Sequence, residues 1–482
     1  MNRIASVWSL VLLSAIVPGV SLSAQSPNFA MNRRLPHGAR KPGVSEPVAP
    51  LFRGSWATHL PSSATRDAIQ ATCPVSAQNL GAVCGYVNVP LDREHPESGS
   101  IAIYFELYLH SASGPAVSAI LANLGGPGTT TTGFRYTFYG VFGPALDVHD
   151  LLLIDDRGRG LSGTIDCIAL QFGTAAFDPA TADCAAQLSN ANRSYGTGDI
   201  AQDTDAVRAA LGYDQVDYYG GSYGGEDVTA YATRFANHLR SIVLDAPAGT
   251  PILDQSRFPL ERYRTHAELD MLRNACSRSL SCASDHPAPG PELDALVSAI
   301  RKKPLVGDAY DANGNLLHVR MDETYLLNYV IDEPTGNFVS TGEVLAAARS
   351  YRQGDSVPLL RLGAEGFFLF DFANYGSSKV FSYGAELATA CVDMREPWDW
   401  SDPISERLKK YREALRDLPP DYFAPFSAKA AGETYLAFSA GTVSTGKRAG
   451  THRRSFARMP FFRPRPRCSS LAIRTAVSQS RR

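Results

Sequence analysis

Ser222 stands among four glycines in "YYGGSYGG", Tyr218 to Gly225. Gly220-Gly221-Ser222-Tyr223-Gly224 has the spacing G-x-S-x-G. That spacing sets a serine on a sharp strand-to-helix turn with its hydroxyl held clear of the backbone. The chemistry it suits is nucleophilic attack on an acyl carbon. Gly220 and Gly224 are the small neighbours such a turn needs, because side chains there would collide. The tetrahedral oxyanion of acyl transfer needs two fixed N–H donors. The residue after the serine, Tyr223, supplies one. The second is sought in "NLGGPG", where Gly125, Gly126, Pro127 and Gly128 form a loop after the apolar run Val117 to Ala122. Gly126 is the candidate donor, since a glycine-rich loop lets the backbone approach a substrate closely.

The surrounding sequence supplies the elements that would position these residues. Val216 to Tyr219 is a short β-prone run. Before it, "DTDAVRAALG" spaces Val207, Ala210 and Leu211 at helical intervals and closes on Gly212. After it, "EDVTAYATRFANHL" reads as a helix with Glu226 and Asp227 in its first turn, where the helix dipole favours acids. "SIVLDAPAG" is the next strand. Upstream, Leu151 to Ile154 is apolar on both faces, as buried parallel strands are. Asp156-Arg157-Gly158 and Gly160 follow as a tight charged loop, expected to brace the site rather than to react.

The chain has 482 residues, enough for a large core with an insertion, and an ordinary apolar share of 44%. "MNRIASVWSLVLLSAIVPGVSLSAQS" reads as a secretory signal peptide cut near Ala24, so the protein is expected to be secreted or periplasmic, with no stable membrane insertion after cleavage. Eight cysteines in an exported chain point to disulfides, and three close pairs stand out: Cys73 with Cys84, Cys167 with Cys184, Cys276 with Cys282. No His/Cys cluster has zinc spacing, and no phosphate-binding or dinucleotide fingerprint occurs, so no cofactor and no metal are expected.

"NLGGPG", "DDRGRGLSGTIDC", "YYGGSYGG" and "SIVLDAPAGTP", in that order, resemble the secreted tripeptidyl aminopeptidases, relatives of prolyl aminopeptidase. "CGYVNVPLDREHP" resembles that family's first strand and "ACVDMREPWDW" its return from cap to core. The resemblance covers about residues 70 to 400. It implies an α/β-hydrolase fold: an eight-stranded, mostly parallel central sheet with a helical cap insertion. It also implies a serine peptidase whose partner is a peptide substrate with a free N-terminus, and no nucleic acid. Leu124 departs mildly, standing where this family usually has proline. The organisation read from it is a signal peptide 1–24, a loose leader 25–60, the hydrolase core 61–250, the cap 251–390, a return to the core 391–433 and a basic tail 434–482.

The base is missing from this pattern. On this fold the serine is followed by an acid and then a histidine. After Ser222 the histidines are His238, His266, His286, His318 and His452. His238 ends the helix after the elbow, the next three fall in the cap, and His452 sits in "AGTHRRSFARMPFFRPRPRC" with no strand or acid nearby. The triad Asp and His are therefore unassigned. After Glu433 there are eleven Lys and Arg and no acid. Arg, Pro, Ser and Ala without acids is the composition of G+C-rich DNA read out of frame. One set of codons for Thr442 to Lys447, shifted, gives CVDWQ, and the same shift across Pro466 to Ser478 gives ALLVPGDPDRGV. These resemble the family's segment after the cap and its acid-bearing strand. The expectation is a frameshift near 434–442 that removes the terminal strands and impairs an aminopeptidase acting through an acyl-enzyme on Ser222. The alternatives are a non-catalytic peptide-binding protein that keeps the pocket, and an esterase of the same fold.

Overall fold

The computed structural model describes residues 68–433, except 176, 189–190, 192, 248–256, 312, 333–337, 370–375, 394–395 and 399–401. The signal segment, the leader 25–60, the first residues of the expected core, 61–67, and the tail, with His452 and Cys468, lie outside the described residues.

Seven strands form one sheet: β1 (Ala68–Ala71), β2 (Val83–Pro90), β3 (Ser100–Tyr108), β4 (Ala119–Asn123), β5 (Asp150–Ile154), β6 (Val216–Gly221) and β7 (Leu239–Asp245), in the order β1-β2-β3-β5-β4-β6-β7. β1, β2, β3 and β5 pair antiparallel in succession, while β5, β4, β6 and β7 pair parallel. Followed through the pairings, five of the seven strands point the same way, so the sheet is mixed and mostly parallel. β4 and β5 are buried along their whole length, as their unbroken apolar runs require. Helices α1 (Arg135–Phe142), α2 (Thr197–Ala210) and α3 (Gly224–Phe235) belong to this part of the chain. One apolar cluster covers one sheet face through Phe105, Leu121, Leu152, Tyr218 and Val228. A smaller one covers the other through Ile120, Phe138, Leu151 and Leu153.

A second large cluster has its own elements. Helices α4 (Arg257–Arg278), α5 (Pro289–Lys302), α6 (Phe338–Arg352) and α7 (Val357–Leu369) share an apolar cluster with a hairpin of β8 (Leu305–Tyr310) and β9 (Leu316–Met321). The insertion is thus helical with one β-hairpin, whose alternating Leu317, Val319 and Met321 face inward. Helix α8 (Tyr383–Asp393), most of which falls inside the expected cap 251–390, contributes Tyr383, Ala385 and Ala388 to the sheet's cluster. Helices α9 (Ile404–Arg416) and α10 (Ala428–Glu433) lie with the insertion instead, because Tyr411, Phe423, Phe426 and Ala431 are buried in its cluster.

All three expected cysteine pairs are bridged, with Cα separations of 5.2, 5.3 and 5.1 Å. Cys391 is half-buried. No described helix is long and apolar enough to cross a membrane.

Candidate active site

β6 ends at Gly221 and α3 begins at Gly224, so Ser222 and Tyr223 make the whole turn between them. Ser222 has φ of 50°, a left-handed conformation that L residues other than glycine rarely hold. It is exposed, while Gly221 and Gly224 on either side are buried. Its N–H donates to the Asp245 carbonyl at the end of β7 (3.0 Å), and its own carbonyl accepts from Gly225 (3.0 Å). The backbone is therefore pinned on both sides of a strained residue, which leaves the hydroxyl projecting.

Two glycines make this turn possible by interlocking. A Cβ on Gly224 would lie 2.4 Å from the Asn123 carbonyl oxygen. One on Gly125 would lie 2.1 Å from the Gly224 nitrogen and 2.5 Å from the Tyr223 nitrogen. The loop after β4 is thus pressed directly against the start of α3. Gly220 also meets the Gly224 carbonyl at close range. Pro127 is half-buried and Gly128 buried in the same loop. The loop meets the elbow through Gly125, while Gly126 lies against Thr129 and Gly128 against Ser382 and Phe381. Among the described residues, no backbone hydrogen bond takes up the N–H of Tyr223 or of Gly126. Both donors lie near the positive end of the α3 dipole, where developing negative charge is favoured.

Asn123, which the sequence reading passed over, ties the loop to the interior. Its side-chain Oδ1 accepts from the Gly125 N–H (2.8 Å), and its side-chain Nδ2 donates to Asp156 and Asp227 (3.1 Å each). A polar residue closing an otherwise apolar strand was the signal available. Burial pushes the Asp227 carboxyl well up, and the neighbouring Asp156 adds to the effect. Asp156 is also raised, again by burial, despite its contact with Arg159.

The charged loop after β5 braces as expected. Asp155 accepts from Thr130 Oγ1 (2.6 Å), Thr132 N (3.0 Å), Thr132 Oγ1 (3.0 Å) and Leu161 N (2.9 Å). It therefore holds the threonines that follow the glycine loop. Arg157 donates to both Asp203 oxygens, at 2.6 and 2.8 Å, which fixes α2 against the same loop.

The described histidines after Ser222 that have a hydrogen-bonded ring are engaged elsewhere. His238 pairs with Asp205 (2.7 Å), His286 with Glu292 (2.9 Å) and His318 with Asp308 (2.7 Å). An acid does stand beside the elbow. Asp245 accepts from the Tyr219 hydroxyl (2.7 Å), whose pKa is pushed up to about 12 by burial and by that bond.

The profile of the alpha/beta hydrolase fold matches residues 119–282, the stretch from β4 through the elbow into the insertion. Over 187 residues the chain is 32% identical to a tripeptidyl aminopeptidase of Streptomyces coelicolor, covering 34% of each protein. Over 226 residues it is 32% identical to the serine protease Hip1 of Mycobacterium bovis, covering 40% of this chain and 42% of that one. The matches span about two-fifths or less of those relatives. Among solved structures, an esterase from Exiguobacterium antarcticum aligns at 15% identity and a TM-score of 0.23, over 42% of this chain and 58% of that one. An epoxide hydrolase from an endophytic Streptomyces aligns at 19% identity and a TM-score of 0.23, over 34% of this chain and 37% of that one.

Proposed function

From an α/β-hydrolase fold with an exposed serine at its strand-to-helix turn, we propose that this chain is an exported serine aminopeptidase by design of its site. The single observation that carries the reading is the left-handed, exposed Ser222 at the turn, with the glycine loop pressed through Gly125 against the Tyr223 and Gly224 nitrogens. Ser222 Oγ attacks the carbonyl of a peptide near its free N-terminus. The two N–H groups receive the oxyanion, the hydroxyl proton passes by way of solvent to the departing nitrogen as the C–N bond breaks, and water then hydrolyses the ester, giving the short peptide acid and restoring the Ser222 hydroxyl. Similarity to a tripeptidyl aminopeptidase and to a serine protease supports a peptide substrate and short N-terminal products. Three disulfides support export.

Turnover by this chain is proposed to be slow. No described histidine is hydrogen-bonded to Ser222, and residual catalysis then rests on binding and the oxyanion donors. The tail 434–482, read as out of frame, is proposed to stand where the acid and base would otherwise be encoded. The same observation favours a second reading, a peptide-binding protein that retains the site without chemistry.

Tripeptidyl-aminomethylcoumarin substrates with free and acetylated N-termini separate these. The aminopeptidase reading expects slow release from the free amine only, far below about 10 per second, and none from Ser222→Ala. Equal cleavage of the acetylated substrate, or cleavage surviving Ser222→Ala, contradicts it. Binding with no release supports the second reading.

A further inference from the structure

Helix α8 follows the insertion in sequence, 161 residues after Ser222 at its first residue, Tyr383. Its two ends touch the two arms of the oxyanion site. At the N-terminal end, Ser382 N donates to the Gly128 carbonyl (2.8 Å), and Thr130 N donates to the Val380 carbonyl (3.1 Å). Thr129 and Phe381 form an antiparallel bridge beside these bonds. The glycine loop is thus stitched to the residues that open α8. Ser382 is fully buried and caps the helix, accepting from Ala385 N (3.0 Å) while donating to the Ile165 carbonyl (2.6 Å). Gly384 packs on both sulfurs of the Cys167–Cys184 bridge, where a Cβ would lie 3.2 Å from each. At the C-terminal end, Asp393 accepts the hydroxyl of Tyr223 (2.8 Å), the residue whose N–H is the other oxyanion donor.

Asp393 is fixed in turn. It accepts from Thr197 N at 3.1 Å through each oxygen and from Thr197 Oγ1 (3.3 Å), at the first residue of α2. Eleven residues of helix span about 16 Å. One rigid element, seated on a disulfide, therefore reaches from the Gly126 side of the site to the Tyr223 side.

Resting on the serine-hydrolase reading above, we propose that α8 is a strut that sets the separation of the two oxyanion donors, and that Asp393 is the positioning residue that holds Tyr223 in place. Asp393 does not touch substrate. It acts through the Tyr223 ring, which carries the backbone N–H with it at the first turn of α3.

The test uses the full chain and an alkyl fluorophosphonate, with the labelling rate at Ser222 read by intact mass and peptide mapping. With no described histidine on Ser222, that rate reports the oxyanion donors directly. Asp393→Ala and Tyr223→Phe remove the same hydrogen bond from opposite ends. Each is expected to slow labelling by roughly tenfold or more, and the double variant is expected to be no slower than the slower single one, as groups acting through one contact are non-additive. Asp393→Asn keeps an acceptor and should recover most of the rate. Tyr223→Phe leaves the Thr197 contacts intact, so its slow labelling should come without the loss of melting temperature seen in Asp393→Ala. Wild-type labelling in either single variant, or slowing that multiplies in the double, overturns the strut while the serine-hydrolase reading stands. A full chain whose Ser222 never labels overturns that reading and the strut with it.

Discussion

β6 and β7 lie side by side, and solvent meets them in opposite ways. Along β6, Val216 and Tyr218 are buried, and the strand ends in the elbow. Along β7, Ile242, Val243 and Leu244 keep 47, 46 and 37% of their surface exposed. Consecutive residues of a strand point to opposite sheet faces, so β7 is bare on both. Edge strands are ordinarily blunted by charge, proline or brevity. "SIVLD" carries the continuous apolar run of an interior parallel strand. The comparison teaches that β7 is built to be covered, and that among the described residues nothing pairs with its outer side. That fits the proposal that the tail is out of frame. From Thr442 onward the only apolar runs are "MPFF" and "SLAI", set among arginines.

The largest effect should come from the β6 side. Gly224→Val puts a branched side chain where even a Cβ would lie 2.4 Å from the Asn123 backbone oxygen. It should abolish fluorophosphonate labelling and either unfold the chain or cost more than about 4 kcal/mol, a value reserved for such backbone clashes. Urea unfolding with wild-type stability would break the account of the elbow.

A matched pair comes next. Tyr218→Ala on β6 removes a ring packed edge-on against Tyr231 and should cost about 3–5 kcal/mol. Ile242→Ala on β7, half exposed, should cost under about 1 kcal/mol. Equal costs in denaturant unfolding would show that β7 is as covered as β6.

The buried acids give a pH test. The Asp227 carboxyl is held well above its ordinary 3.8, by burial first and Asp156 second. A group raised on folding contributes most to stability when protonated, below pH 3.8, and that contribution drains away as pH climbs through the raised value. Asparagine resembles the protonated form at every pH. Asp227→Asn should therefore match the wild type near pH 4 and melt a few degrees higher at pH 7. A lower melting temperature at pH 7 would show that the charged carboxylate is the stabilising form.

The smallest effect concerns association rather than folding. Val243→Lys should leave the melting temperature nearly unchanged and reduce concentration-dependent self-association, because it places a charge on a bare strand. Sedimentation that is unchanged by the substitution would mean the edge is not sticky in solution.

Much of the site was legible because its demands are local. A serine flanked by glycines, a preceding strand and a following helix are all encoded within Val216 to Phe235, and the left-handed φ at Ser222 follows from that spacing. The three disulfides were legible because each pair is close in sequence. Asn123 and Asp393 were not. Asn123 matters through Asp156 and Asp227, and Asp393 through a tyrosine 170 positions away. No spacing rule connects residues that only the folded sheet brings together. That Tyr411, Phe423, Phe426 and Ala431 would pack with the insertion was likewise invisible, since amphipathic helices such as α9 do not say which cluster their apolar face will join.

The central claim is that Ser222 is a nucleophile held in a functional elbow. Exposing the full chain to a fluorophosphonate and mapping the adduct by tandem mass spectrometry tests it most directly. The account predicts one phosphonylated residue, Ser222, with labelling lost in Ser222→Ala. An unlabelled chain, or an adduct on another serine with Ser222 untouched, contradicts it.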